Sequence, residues 1–351
     1  MDLKTLICAA LAMLILSILP SAAEAQVQSV GCGAVIDTPG NYQLSGNLTC
    51  PVGVPPFLFC DKAAITITAP NVDLNGHGFT LVSSISGEGI GIQITGASHV
   101  QVRNITIENF AIGIDIKEGR SNHLEAVNLH GAGALYCPEA GGTGLRLTNT
   151  TDNHVTKSNI SGNENWGVRL ISSSGNHLNG NQIVNNLSGP LDLTGNIDLL
   201  SSHQNRISGN DLSGGGFVGV RVEESNGNVI IGNKVKETGS IGGNGIGIWL
   251  SASSENLIAL NLVDRQPIHG FDHRGIAVDG GATRNVIVGN VVLNQQPGFG
   301  IKLFQGANGN LILGNRAMGN TPWDAQDDNT RCDANVWSAN QFGTVNQSCI
   351  R

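Results

Sequence analysis

The chain has 351 residues, only 13% of them charged, and a formal net charge of -8 at pH 7, a balance that excludes nucleic acid as an electrostatic partner. It holds 40% hydrophobic residues, too many for a disordered chain, together with 48 glycines and 38 asparagines. Many Val, Ile and Leu, few helix formers and abundant turn residues predict β-structure with many tight turns.

The N-terminal "MDLKTLICAALAMLILSILPSAAEAQ" carries one lysine, a leucine-rich run and then Ala23-Glu24-Ala25. It reads as a secretory leader over residues 1–25, removed before Gln26. A secreted or periplasmic protein is expected, with no membrane insertion of the mature chain. Six cysteines remain: Cys32, Cys50, Cys60, Cys137, Cys332 and Cys349. An even number in an exported chain favours disulfides. Spacing suggests Cys32 with Cys50 and Cys332 with Cys349, which leaves Cys60 with Cys137.

Residues 26–70, containing "CGAVIDTPGNYQLSGNLTC", read as a cap: a hairpin leading into the first coil. From about 71 to 320 the chain repeats itself. Asn, any residue, an apolar residue, two residues and Asn again recur at Asn176/Asn181, Asn205/Asn210, Asn228/Asn233, Asn256/Asn261, Asn285/Asn290, Asn310/Asn315 and Asn335/Asn340. Between them stands a Gly followed by alternating apolar positions, as in "GVRLI", "GVRVE", "GIWLS" and "GIKLF". Alternation means strand, and successive starts mostly 23 to 31 residues apart mark a stacked repeat. No segment is long enough for a crossover helix. The prediction is all-β: a single-stranded, right-handed parallel β-helix with disulfide-stapled N- and C-terminal caps, the second over 321–351. Asparagines repeated at one turn would stack as amide ladders, and Asn tolerates the left-handed backbone of a turn.

If the two apolar residues of each Gly phrase point inward, the residue between them points out. One outward column then reads Gln93, Asp115, Arg146, Arg169, Asp198, Arg221, Trp249, Ala277, Lys302, and the next includes Glu223, Asp279 and Phe304. Arg146, Arg169, Arg221, Trp249, Asp198, Glu223 and Asp279 are the substrate-binding candidates. Arginines recognise carboxylates or sulfates, and an aromatic face meets the apolar face of a sugar. Pairing of these charges along the ladder, merely keeping the face soluble, is the plainer alternative. Longer segments at 131–142, 184–195, 236–244 and 264–274 would wall such a strip. The last, "DRQPIHGFDHRG", is the densest titratable cluster, with Asp264, Arg265, His269, Asp272, His273 and Arg274. Asp272, His273, Arg274 and Lys302 are the catalytic candidates: a His acts as acid or base near neutral pH, and a cation stabilises the enolate formed beside a uronate carboxylate.

The "NVDLNGHGFTL" lead-in, the Asn rungs and the C-terminal "CDANVWSANQFGT" phrase resemble right-handed β-helix repeat proteins of the pectate-lyase-like superfamily, including the NosD-type periplasmic group. The resemblance covers essentially the whole mature chain and implies that fold. The superfamily holds lyases, hydrolases, epimerases, adhesins and binding proteins, so it implies no single activity. Its alginate epimerases carry an Asp-Pro-His-Asp type motif that "FDHR" matches only in having Asp and His close together. Its calcium-using lyases cluster acids, and here only Glu223, Glu224 and Asp279 come near that, so calcium is not assigned. The NosD name is tied to copper, whose soft sites want Met, Cys or clustered His, and the sequence holds only three methionines. The expected partner is an acidic polysaccharide or cell-wall glycan, which the chain binds; processing by a lyase- or epimerase-like proton abstraction is the extension of that reading. The alternative is a non-catalytic glycan-binding or structural surface protein. No cofactor is required, and a monomer is expected.

Overall fold

The computed structural model describes residues 27–51, 61–133, 141–186, 194–239, 245–264 and 272–351. The leader, Cys60, Cys137, Arg265 and His269 lie outside them. Every strand pairing among the described residues is parallel, each strand meeting its counterpart one coil later, so the chain is a parallel β-solenoid. Twelve strands from Ala34–Ile36 to Ala325–Asp327 stack into one sheet. Seventeen form a second sheet and five a third, and these continue two further tracks of each coil. The single helical element described is a 3-10 turn at Thr330–Cys332.

Inward side chains of successive coils stack on one another. On the 12-stranded sheet Val168, Ile197, Val220, Ile248 and Ile276 form one such column, all fully buried. Trp337, in T-shaped contact with Phe342, closes the column of the opposite sheet. β-Branched residues dominate because each must pack between identical neighbours about 4.8 Å above and below.

The asparagine ladders are present and buried. In the first, Asn205 donates its backbone N–H (2.8 Å) and its Nδ2 (3.1 Å) to Oδ1 of Asn228, and a second Nδ2 proton goes to the carbonyl of Ser173 (3.0 Å). Asn228 repeats this toward Asn256. Each amide thus satisfies three buried polar groups at the bend between sheets, where the backbone ladder cannot. One expectation is corrected. The left-handed residue is not the ladder asparagine but the one before it: Gln204, Gly227, Glu255 and Arg284 in the first ladder, Gly209, Gly232, Leu260 and Gly289 in the second, all at φ between 54° and 67°. The bend is made there, which leaves the asparagine free to point inward.

The disulfides Cys32–Cys50 and Cys332–Cys349 form at the two ends, with Cα separations of 5.4 and 6.1 Å. The expected hairpin at the N-terminal end is not one. Gln28–Val30 pairs parallel with Gly40–Leu44 because the chain between them already makes a coil, placing Ala34–Ile36 on the 12-stranded sheet against Ala63–Ile67. At the other end Asn335 and Asn340 continue both ladders, and the last carbonyl, of Arg351, accepts from Asn340 Nδ2 (2.9 Å).

Candidate functional site

The outward face of the 12-stranded sheet carries the candidate residues in the register read from the sequence: Gln93, Asp115, Arg146, Arg169, Asp198, Arg221, Trp249, Ala277 and Lys302 are successive Cα partners. Beside them run Glu223, Ser251 and Asp279. The face is less open than an exterior strip was expected to be. Asp115 and Asp198 are fully buried and Arg221 nearly so.

Its lower part is an ion-pair ladder. Arg146 grips Asp115 with Nε (2.9 Å) and Nη2 (2.8 Å), and Lys117 stands 3.3 Å from the same carboxylate. Arg169 turns the other way, donating Nε to Asp198 (3.0 Å), so the two neighbouring arginines are kept apart by opposite partners. Asp198 also receives Nε (2.8 Å) and Nη2 (3.1 Å) of Arg221, whose Nη1 reaches Glu223 (3.1 Å). Burial opposes the Arg221 charge, but the hydrogen bonds and field of Asp198, with Glu223 behind them, outweigh it and hold the guanidinium above its ordinary pKa. Its Cζ lies 5.2 Å from the Trp166 ring.

Above Arg221 the chemistry changes. Trp166, Val218, Ile246 and Ala277 form a second apolar cluster, with Phe217, Trp249 and Phe304 packed on it. Lys302 Nζ sits 4.1 Å from the Phe299 ring centre and 4.6 Å from that of Phe304, and Arg274 Cζ is 4.9 Å from Phe304. Lys302 is 9% exposed and, among the described residues, its ammonium has no carboxylate partner. Arg274 pairs with Asp272. Four buried polar atoms on these rungs have no hydrogen-bond partner: Trp249 Nε1, Arg274 Nε, Asp279 Oδ1 and Gln326 Oε1. Gln326 is the Cα partner of Lys302 one rung up.

His273 is placed differently from its neighbour Arg274. It is fully buried, and its Nδ1 accepts the backbone N–H of Gly245 (2.9 Å). The strand His273–Asp279 begins with it, so the side chain enters the packing beneath Gly298 while Arg274 reaches the aromatic cluster. The four longer segments all run from the third track back to the start of a 12-stranded-sheet strand, and their middle residues fall outside the described set. Phe299, Phe304 and Gln326 were not among the sequence candidates for the site. The phrase "GFGIKLF" held the signal for Phe304 alone, since alternation puts it on the same side as Lys302 and would turn Phe299 the other way.

Among the described residues no group of three or more His, Cys, Asp or Glu converges in a way that could hold a metal. Glu223 is engaged by Arg221, and Asp279 lies two rungs further on. No described helix is long and apolar enough to cross a membrane.

The sequence profile of the family described as periplasmic copper-binding protein (NosD) matches residues 71–267. No curated protein matches the chain by sequence. Among solved structures, the periplasmic alginate epimerase AlgG is similar at a TM-score of 0.63 and 12% identity, over 93% of this chain and 79% of that one. The catalytic domain of a GH87 alpha-1,3-glucanase gives 0.57 and 13%, over 92% and 62%. The Dettilon tailspike protein gives 0.54 and 17%, over 91% and 60%. The chain therefore spans about three fifths of the length of the last two. At such identities the likeness is one of fold.

Copper, named in the family description, was tested against the residues present. Four cysteines are oxidised, Met318 lies alone at the surface, and the stacked His123, His154 and His177 rings have centroids 6.3 and 4.7 Å apart without converging with a third donor type. The described donor set does not suit a soft copper site.

Proposed function

We propose, taking as premise that this chain belongs to the NosD family of periplasmic β-helix repeat proteins, that it binds an acidic polysaccharide along the outward face of its 12-stranded sheet. The carboxylate-binding point is Lys302 with Arg274. The observation that carries this reading is the Lys302 ammonium, nearly buried between two phenylalanines without an anion, while Arg146, Arg169 and Arg221 are each held by a carboxylate. Burying a cation costs free energy that ring quadrupoles offset only in part, and a uronate carboxylate would complete the compensation. Trp249 and Phe304 offer faces to sugar rings, while Asp279 and Gln326 bring buried oxygens that hydroxyl donors would satisfy. Arg146, Arg169, Arg221, Asp198 and Glu223 extend the track as an already neutralised floor, with edges open to hydroxyls.

A rod-like fold with a long face suits an elongated ligand, and solved proteins of similar fold include an alginate epimerase and a glucanase by name. Processing of the glycan is the second reading. It would use Asp279 or Asp272 to take the proton beside the carboxylate, with Lys302 and Arg274 facing the enolate. The buried His273 then serves to position the strand that presents Arg274.

Calorimetric titration of the mature protein with uronate polymers and with a neutral glucan tests the proposal. Binding of a uronate polymer, weakened about tenfold or more in Lys302→Met (a loss of about 1.4 kcal/mol), is the expected outcome. Absence of binding to every acidic polymer, or an unchanged affinity in the variant, overturns it. Absorbance growing at about 235 nm on incubation with the polymer would add cleavage by elimination.

A further inference from the structure

The outer face of the 17-stranded sheet changes character along the stack. In the lower rungs its first outward column is Gln101, His123, His154, His177 and Arg206, wholly polar. In the same register the upper rungs read Val229, Leu257, Val286, Leu311 and Val336. The neighbouring column repeats the change, with Arg103, Glu125 and Thr156 below and Ile231, Ala259, Val288 and Leu313 above. No upper position of either column is charged. Val336 is 54% exposed, and most of the others keep part of their surface in water.

Leu260 stands at the edge of this face, 64% exposed and at φ 54°. The equivalent residue is glycine in the rungs on either side, Gly232 and Gly289, and again at Gly180, Gly209 and Gly314. A leucine there adopts a left-handed backbone that its Cβ disfavours, and in return it only places an apolar side chain in water, leaning over Gly289. Neither feature helps the isolated coil. Both help a surface that is covered.

We propose that this apolar face joins two copies of the chain, with Leu260 at its edge as an anchor. At strand spacings of about 4.8 Å and about 6.6 Å between alternate residues, two columns over the four rungs from Val229 to Leu311 make roughly 250 Å² of flat apolar surface. With its rim the face reaches roughly 500 Å² per copy, about 1,000 Å² in total, the lower bound for a specific interface. The rim is self-complementary. Glu255 and Arg284, exposed and paired at 2.8 Å, lie on adjacent rungs, so a twofold axis between those rungs and across the stack sets Glu255 of one copy opposite Arg284 of the other. An isologous contact needs this property. A hydrated glycan would find only one hydrogen-bonding side chain in the upper columns, the hydroxyl of Ser338 at the terminal rung. The dimer would replace the monomer expected from the sequence.

Sedimentation of the mature protein from about 1 to about 100 µM tests the proposal. The expected result is a reversible dimer whose Kd rises at least about tenfold in Leu260→Gly, a substitution that relieves the backbone and so leaves the melting temperature equal or higher. Val288→Lys, in the middle of the face, should leave only monomer. A wild-type chain that stays monomeric at about 100 µM overturns the proposal. So does a dimer whose Kd is unchanged in Leu260→Gly, which would place the contact elsewhere.

Discussion

The lower and upper halves of the 12-stranded sheet's outer face share one backbone and one register, yet they treat charge in opposite ways. From Asp115 to Arg221 every cation in the outward column lies against a carboxylate of a neighbouring rung. From Trp249 to Lys302 the carboxylates leave the column, and aromatic rings flank the Lys302 ammonium in their place. Stacking alone does not decide whether a column is a structural ladder or a binding surface. The partners that the neighbouring rungs supply decide it.

Removing a charge from each half breaks the comparison most directly. Asp198→Ala leaves the half-buried Arg169 and the buried Arg221 without their shared acceptor, and Glu223 compensates only Arg221. A loss of about 3–5 kcal/mol is expected by chemical denaturation, the cost of breaking a buried pair from one side. A loss below ~1 kcal/mol would show the ladder to be a solvated ornament. Asn228→Ala probes the frame common to both halves. It strips the acceptor from the Asn205 backbone N–H and Nδ2, and about 2–3 kcal/mol is expected for groups left unsatisfied. Lys302→Met should cost no stability, or raise it by about 1 kcal/mol, because no buried partner is orphaned. Destabilisation there would mean that Lys302 belongs to the lower type.

The smallest effect expected is one of pH. The pKa of His177 is lowered by burial, by His154 stacked beside it and by Arg206, against a weaker opposite pull from Asp152. Protonation is therefore less favourable in the folded chain than in the unfolded one. Its contribution is complete above the unfolded value of about 6.5 and fades as pH falls through the lowered folded value. Melting temperatures between about pH 7 and 5 should fall less steeply in His177→Gln than in the wild type. Parallel curves would remove the histidine stack from the pH response.

The solenoid and the register of its outward columns were legible in the sequence because both are repeated. An error at one rung is corrected by the next, as the inward Leu170, Leu199, Val222 and Leu250 show. Depth was not legible. Alternation says that Asp198 points outward, but not that two guanidiniums will cover it. Nor does the density of titratable residues in "DRQPIHGFDHRG" reveal that His273 falls at the first position of a strand, where its ring turns into the packing. The pairing of Arg146 downward and Arg169 upward depends on rotamers, and a one-letter column carries none of these. The aromatic setting of Lys302 was half visible, since Phe304 was already in the neighbouring column while Phe299 sits before the glycine that ends the alternation.

The amide ladders carry a mechanical consequence. Each coil is joined to the next by the same row of hydrogen bonds and touches nothing further away, and the two described disulfides close loops only within the terminal coils. Pulled from its ends, the rod would yield joint by joint rather than all at once. Each freed turn of roughly 23 to 31 residues would add about 75 to 100 Å of length, so a force trace should show a series of teeth spaced by the repeat lengths. The tallest tooth would single out the joint where the ladder is strongest.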